Sequence, residues 1–137
     1  MIHQHCCIPS AKWCVDVFYD VRPNNADEIL DELWDLGCAE RYMYKAERLL
    51  RSGVSNEGLT YSNPYERKSI VVIGHTDDIW QFLDTCSHEK QHIEQAICKA
   101  DRLDPYGEDI AYISGAISQI IARNAWLTMR KLFLYLI

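Results

Sequence analysis

The sequence lacks the long hydrophobic run that a membrane-spanning helix requires. Such a helix needs about 20 consecutive, mostly apolar residues, and no stretch of this 137-residue chain approaches that pattern. The first twenty residues also lack a basic segment followed by an apolar run, which is the mark of a secretory signal peptide. We therefore expect a soluble cytoplasmic protein without a membrane span.

Basic residues are also in short supply. The chain has 14 Lys and Arg against 20 Asp and Glu, which gives a formal net charge of -6. Proteins that bind nucleic acid or anionic membranes gather these polyanions with a positive field. The charge balance therefore argues against both as partners.

Glycine and proline are scarce, with 6 and 4 residues, and they form no linker-like cluster. With 48% hydrophobic residues the chain can bury a sizeable core. We therefore expect one domain over residues 1–137.

The six cysteines are expected to be free thiols, because no signal directs the chain to an oxidising compartment. Cys86 and Cys98 lie in an apolar helical pattern and are predicted to act as small hydrophobic residues. Near the start of the chain four side chains that could bind a metal fall within five residues; they are His3, His5, Cys6 and Cys7. They could form an accessory metal site, but a frayed terminus is the favoured interpretation.

Three strands are predicted. Residues 12–22 alternate between apolar and polar side chains, with Trp13, Val15, Val17, Tyr19 and Val21 on the apolar side, as in a half-buried strand. Leu59 and Tyr61 precede a turn at Asn63-Pro64, and the apolar run 69–73 follows as a central strand. These segments predict an α+β fold in which a small, mostly antiparallel sheet of about three strands packs against several helices.

Four helical regions are predicted around this sheet. One begins at Asn25, with Glu28 three residues on as in a capping box, and ends at Gly37, and the next covers about 39–51 and stops at Gly53. Thr76 is expected to cap a third helix that reaches about residue 100 and presents Ile79, Trp80, Leu83, Ile93 and Ile97 on an apolar face. The turn 104–107 separates it from a last helical region that begins near Glu108.

The third helix carries His88-Glu89-Lys90-Gln91-His92, an H-E-x-x-H motif. Histidines four residues apart project from one face of a helix and can share a tetrahedral Zn²⁺ ion. Glu89 is offset from them, so it can act as a general base without binding the metal. The alternative is two surface histidines on a solvated face.

Glu108 is the predicted third ligand, because the reversal at 104–107 can return the last helix antiparallel to the histidines. The small residues Ala111 and Gly115 would allow the two helices to approach closely. The alternative for Glu108 is an ordinary acidic residue in a first helical turn.

With these residues the chain resembles the zincin metallopeptidases, and specifically the gluzincin pattern in which H-E-x-x-H is followed by a glutamate on a downstream helix. The resemblance covers roughly residues 67–115. It implies Zn²⁺ bound by His88, His92 and Glu108, with Glu89 as general base in the hydrolysis of a peptide or protein substrate.

A peptidase also needs a donor for the oxyanion, and Tyr112, Tyr106 and His75 are the candidates. The competing class is a non-catalytic interaction or regulatory module with a structural metal or none. The apolar tail 126–137 is expected to pack on the core, although it could also form a homo-oligomer interface or a membrane-surface segment.

Overall fold

The computed structural model describes residues 1–53 and 57–135. Four strands and four α-helices follow one another in the order β1 (Ile2–Ile8), β2 (Trp13–Val21), α1 (Ala26–Asp35), α2 (Glu40–Ser52), β3 (Gly58–Asn63), β4 (Lys68–Gly74), α3 (Ile79–Asp101) and α4 (Glu108–Tyr135). A short 3₁₀ helix, Pro23–Asn25, leads into α1. The predicted α+β class agrees with this architecture.

The sheet has four strands in the order β1-β2-β4-β3, one more than predicted. Its two outer pairs, β1 with β2 and β3 with β4, are antiparallel, and the central pair β2 with β4 is parallel. The additional strand is β1, so the expectation of a frayed N-terminus was wrong. Alternate residues of β1 do face the core, since Gln4 and Ile8 are buried.

Helices cover both faces of the sheet. One core cluster joins β2 and β4 to α3 and α4 through residues such as Trp13, Val71, Ile93 and Ile117. The other joins the opposite face to α1 and α2 through residues such as Ile29, Leu33, Leu50 and Ile70. This three-layer arrangement places α3 directly over one face of the sheet.

The alternating pattern of β2 predicted burial on one face, but the strand is buried on both faces. Phe18 faces the α1 and α2 layer, whereas Trp13, Val15, Val17 and Tyr19 face the α3 and α4 layer. The pairing with β4 shifts between Phe18 and Val21, where Asp20 has a φ of 56°. Val21 consequently lies with Phe18 and not with the residues with which it was grouped.

The N-cap of α3 differs from the prediction, whereas Asn25 is the N-cap of α1 as predicted, although its side chain forms no hydrogen bond to that helix. Asp78, and not Thr76, is the N-cap of α3, where its carboxylate accepts a hydrogen bond from Trp80 N at 2.9 Å. The Asn25 side chain accepts from Arg22 N at 3.0 Å and so serves the 3₁₀ helix that precedes α1. The end of α2 was predicted correctly: Gly53 follows it with a φ of 71°, a conformation that glycine adopts without strain.

The sequence analysis assigned more residues to the buried face of α3 than the structure buries. Trp80 and Leu83 of α3 are exposed, although Ile79, Ile93 and Ile97 are buried as predicted. In α4, Ala125 is buried and Met129 packs against the core, whereas Trp126 and Leu134 are exposed. Within the described residues, no helix is both long and apolar enough to cross a membrane.

Candidate metal site on helix α3

The H-E-x-x-H motif lies in the middle of α3, as predicted. Phe82, Ile93 and Ile97 bury one side of this helix against the sheet, and Glu89 projects to the same side. His88 and His92 are rotated away from that side by the helical geometry and lie on the exposed flank. The motif therefore straddles the boundary between the core and the solvent.

The two imidazole rings are close enough to share a metal ion. Their Nε2 atoms are 3.3 Å apart and their ring planes are inclined at 73°. Two nitrogen ligands of a tetrahedral zinc site, each about 2.0–2.1 Å from the metal, are separated by about 3.3–3.4 Å. The separation thus fits a shared Zn²⁺ ion, and it also permits one ring to donate a hydrogen bond to the other.

Glu89 is the only buried acidic residue of α3 within the described part of the chain, with 4% of its surface exposed. Its Oε2 accepts a hydrogen bond from Thr60 Oγ1 at 2.6 Å, and its Oε1 lies 4.0 Å from His88 Nε2. A buried carboxylate needs such a partner, because removal from water without a hydrogen bond is costly. The Thr60 hydroxyl therefore fixes one oxygen of Glu89, while the other stays close to the histidines.

Gly58 lets β3 approach α3 closely beside this carboxylate. A Cβ atom at this position would lie 2.7 Å from Val72 O and 3.0 Å from Glu89 Cγ. The strand and the helix border a cleft of about 250 Å³, which is lined by Glu57, Gly58, Asp84, Thr85, His88 and Glu89. His88 and Glu89 of the motif therefore line a solvent-accessible cleft.

The structure does not bring Glu108 to the histidine pair. Among the described residues, the group with metal-binding geometry on α3 contains His88, Glu89 and His92. Glu108 begins α4, beyond the C-terminal end of α3, and the helix rises by about 14 Å from His92 to Asp101. Within the motif, Lys90 lies on another side of α3 from the histidines and donates a 2.7 Å hydrogen bond to Ser114 Oγ of α4.

Nor do Ala111 and Gly115 form a close helix contact. Both are exposed, and within the described residues no atom beyond the neighbouring helix backbone lies within 4 Å of a Cβ built at Gly115. The predicted close approach of α4 at these positions was therefore wrong.

None of the three predicted oxyanion donors lines the cleft. Tyr112 on α4 and Tyr106 in the preceding loop are 75% and 95% exposed. His75 follows β4, where its Nδ1 lies 2.7 Å from Asp20 Oδ1 and its Nε2 lies 3.1 Å from Asp77 Oδ1. These contacts occupy both ring nitrogens of His75, which lies shortly before the N-terminal end of α3.

The sequence analysis missed Asp84, which lines the cleft, and Thr60, which binds the Glu89 carboxylate. Asp84 precedes His88 by four residues, so it lies on the same side of α3 as the pair. That spacing was a signal available in the sequence. The sequence contained no such signal for Thr60, because its contact with Glu89 joins positions that are 29 residues apart.

Cys86 is not suited to be a thiolate ligand of this site. Burial, and after it the charge of Glu89, raises the pKa of its thiol to about 12. A thiol with that pKa is protonated at neutral pH, whereas a metal binds the thiolate. The metal-binding side chains of α3 are thus the imidazoles and carboxylates.

Comparisons with protein-family models, with curated proteins and with solved structures find no match for this chain. The chemistry of the cleft is therefore inferred from its own residues.

Proposed function

We propose that the cleft between α3 and β3 binds a Zn²⁺ ion and hydrolyses peptide bonds, as the resemblance to gluzincins suggested. The 3.3 Å separation of the His88 and His92 Nε2 atoms, beside the buried carboxylate of Glu89, carries this proposal. Such spacing suits two ligands of one zinc ion, and the open cleft leaves room for a substrate.

Asp84 replaces Glu108 as the proposed third ligand. It lines the cleft one helical turn before His88, and its exposed side chain can rotate without disturbing the core. Aspartate oxygen is an ordinary zinc ligand. Three protein ligands leave one position open, which is the arrangement of catalytic zinc sites.

When bound, Zn²⁺ supplies a Lewis acid that polarises a carbonyl group and lowers the pKa of water. Glu89 Oε1 accepts the proton of the attacking water and then delivers it to the leaving amine. Thr60 holds the other oxygen at 2.6 Å and so keeps the carboxylate oriented toward the histidines. Thr60 is therefore a positioning residue in this mechanism.

Strand β3 supports a peptide as the substrate. It is an outer strand of the sheet, pairing only with β4 within the described residues, and its first residue, Gly58, lines the cleft. An extended peptide can add to such an edge through main-chain hydrogen bonds. A peptide bound in this way would pass beside His88 and Glu89.

The structure joins Cys7 and Cys14 in a disulfide, and the first test measures metal content in this oxidised protein. We expect about one equivalent of zinc in the wild type and its loss in His88→Ala and His92→Ala. His75→Ala is the matched control and should keep the metal, because its ring contacts Asp20 and Asp77. Equal zinc in all three variants would refute the site.

The second test separates the general base from the ligands. Glu89→Gln should keep zinc while the hydrolysis of a peptide library falls by about 10² to 10⁴, the usual contribution of general-base catalysis. A wild type that binds zinc and hydrolyses no peptide would refute the peptidase proposal. That outcome would favour the non-catalytic metal-binding module.

A further inference from the structure

A second set of metal-binding side chains lies on the β1–β2 hairpin, on the face that points away from α3 and α4. His3, His5 and Cys7 alternate along β1, so they share one face of the strand. Cys14 and Asp16 of β2 pair directly with Cys7 and His5 in the antiparallel register. Five side chains of types that can bind a metal therefore lie on one face of two neighbouring strands.

Asp16 orients the His5 ring. Its side chain is only 5% exposed, and its Oδ1 lies 2.8 Å from His5 Nδ1, while Lys68 Nζ lies 2.7 Å from Oδ2. A carboxylate accepts hydrogen bonds, so the proton of a neutral His5 ring resides on Nδ1. The lone pair is then on Nε2, as in the carboxylate–histidine pairs that support metal ligands.

The free nitrogen of His5 points to the cysteines. His5 Nε2 lies 3.8 Å from Cys7 Sγ, and the ligand atoms of His5, Cys7 and Cys14 all lie within 4.8 Å of one another. In a tetrahedral zinc site a nitrogen and a sulfur ligand are about 3.6 Å apart, and two sulfur ligands about 3.8 Å. The distance between His5 Nε2 and Cys7 Sγ is thus close to the value that zinc requires, whereas the two sulfur atoms are bonded to each other and can reach their separation only after reduction.

Cys7 and Cys14 are joined in a disulfide, whereas Cys6, Cys38, Cys86 and Cys98 are free. The expectation of six free thiols was therefore wrong for one pair. Only the thiolate form of cysteine binds a metal. The oxidation state of this pair consequently decides whether the hairpin has one metal ligand or three.

We propose that the hairpin is a redox-controlled zinc site, separate from the site on α3, which binds Zn²⁺ through His5, Cys7 and Cys14 after their disulfide is reduced. A dithiol reductant transfers two electrons and two protons to the disulfide and itself becomes a disulfide. Each of the two cysteine thiols then releases one proton when it binds the metal. Reoxidation by a disulfide compound, which takes up two electrons from the thiolates and two protons from the solvent and becomes a dithiol, joins the sulfur atoms again and expels the ion.

The test uses Co²⁺ as the probe, because its bonds to thiolates absorb light. It is made in the His88→Ala/His92→Ala protein, so that the site on α3 does not contribute. After reduction with a dithiol and its anaerobic removal, we expect one equivalent of Co²⁺ with thiolate-to-metal absorption, displaced by Zn²⁺. The oxidised protein should show none of this absorption. The reduced and the oxidised protein have the same sequence, so a difference between them cannot come from a substitution that disturbs the fold.

Cys6→Ser is the matched control for Cys7→Ser. Cys6 is the neighbouring residue of β1 but packs on the opposite side, where its thiol contacts Val15 O at 3.6 Å. Cys7→Ser and Cys14→Ser should abolish the absorption and Cys6→Ser should keep it, with unchanged far-ultraviolet circular dichroism in all three. His5→Ala should keep the thiolate absorption only at Co²⁺ concentrations at least about tenfold higher.

Two results would overturn the proposal. One is the absence of thiolate absorption in the reduced protein. The other is an equal loss in Cys6→Ser and Cys7→Ser, which would show that the absorption does not come from this face of the hairpin.

Discussion

Replacement of Gly58 by alanine tests the close approach of β3 to α3, on which the candidate cleft depends. The added Cβ would lie 2.7 Å from Val72 O and 3.0 Å from both Glu89 Cγ and Thr85 Cγ2. Val72 belongs to the central strand β4 and its oxygen is backbone, so it cannot move aside. The substitution must therefore push β3 away from its neighbours.

The expected cost follows from two opposing effects. Overpacking costs typically about 1–3 kcal/mol. Alanine in a strand is favoured over glycine by about 0.5–1 kcal/mol, because glycine loses more backbone freedom on folding. We therefore expect a net loss of up to about 2.5 kcal/mol in the free energy of unfolding, which lowers the Tm of a chain of this size by up to about 9 °C.

The assay is thermal and urea unfolding followed by circular dichroism, with Gly115→Ala as the matched control. Gly115 lies within α4, and in the described structure a Cβ there meets open space. Alanine should therefore stabilise that helix by up to about 1 kcal/mol. The reasoning fails if Gly58→Ala raises the Tm as Gly115→Ala does.

Two further predictions concern ionisable groups. The hydrogen bond from Arg67 holds the pKa of Asp101 below its usual value, so the stabilisation is present above the ordinary pKa near 4 and is lost as pH falls through the lowered one. Asp101→Asn should thus cost up to about 1 kcal/mol at pH 7 in urea unfolding and progressively less as the pH falls below about 4, and a deficit that does not shrink in acid would contradict the assignment. Burial and the charge of Glu89 raise the pKa of the Cys86 thiol to about 12, so only about 10⁻⁴ of it is ionised at pH 8. We therefore expect Cys86 to be alkylated at least about a hundredfold more slowly in the native protein than in urea. Mass spectrometry of the alkylated protein measures both rates. Equal rates would show that Cys86 is not protected.

The sequence was informative wherever a local pattern decides the structure. The run at 69–73 predicted a central strand, and β4 is one. Gly53 predicted the end of α2, and the H-E-x-x-H motif was correctly placed in mid-helix. These features depend on residues close to one another in the chain.

Features that depend on distant residues were not predictable in this way. Strand β1 has polar side chains on its outer face, and their partner Asp16 lies on the neighbouring strand. Thr60 reaches Glu89 only after the sheet and α3 have packed. The length of the loop before Glu108 also does not determine the side of α3 on which α4 returns.

The strand order β1-β2-β4-β3 has a consequence for the kinetics of folding. Each antiparallel pair closes a short turn, whereas the parallel pairing of Val17 with Val71 closes a loop of about fifty residues and costs more chain entropy. Non-local pairings of this kind slow folding, so we expect the two hairpins to form before the sheet is joined. The candidate cleft belongs to the stretch from Glu57, directly before β3, through α3. Its residues can therefore assemble early, and the joining of β2 to β4 then fixes them on a completed sheet.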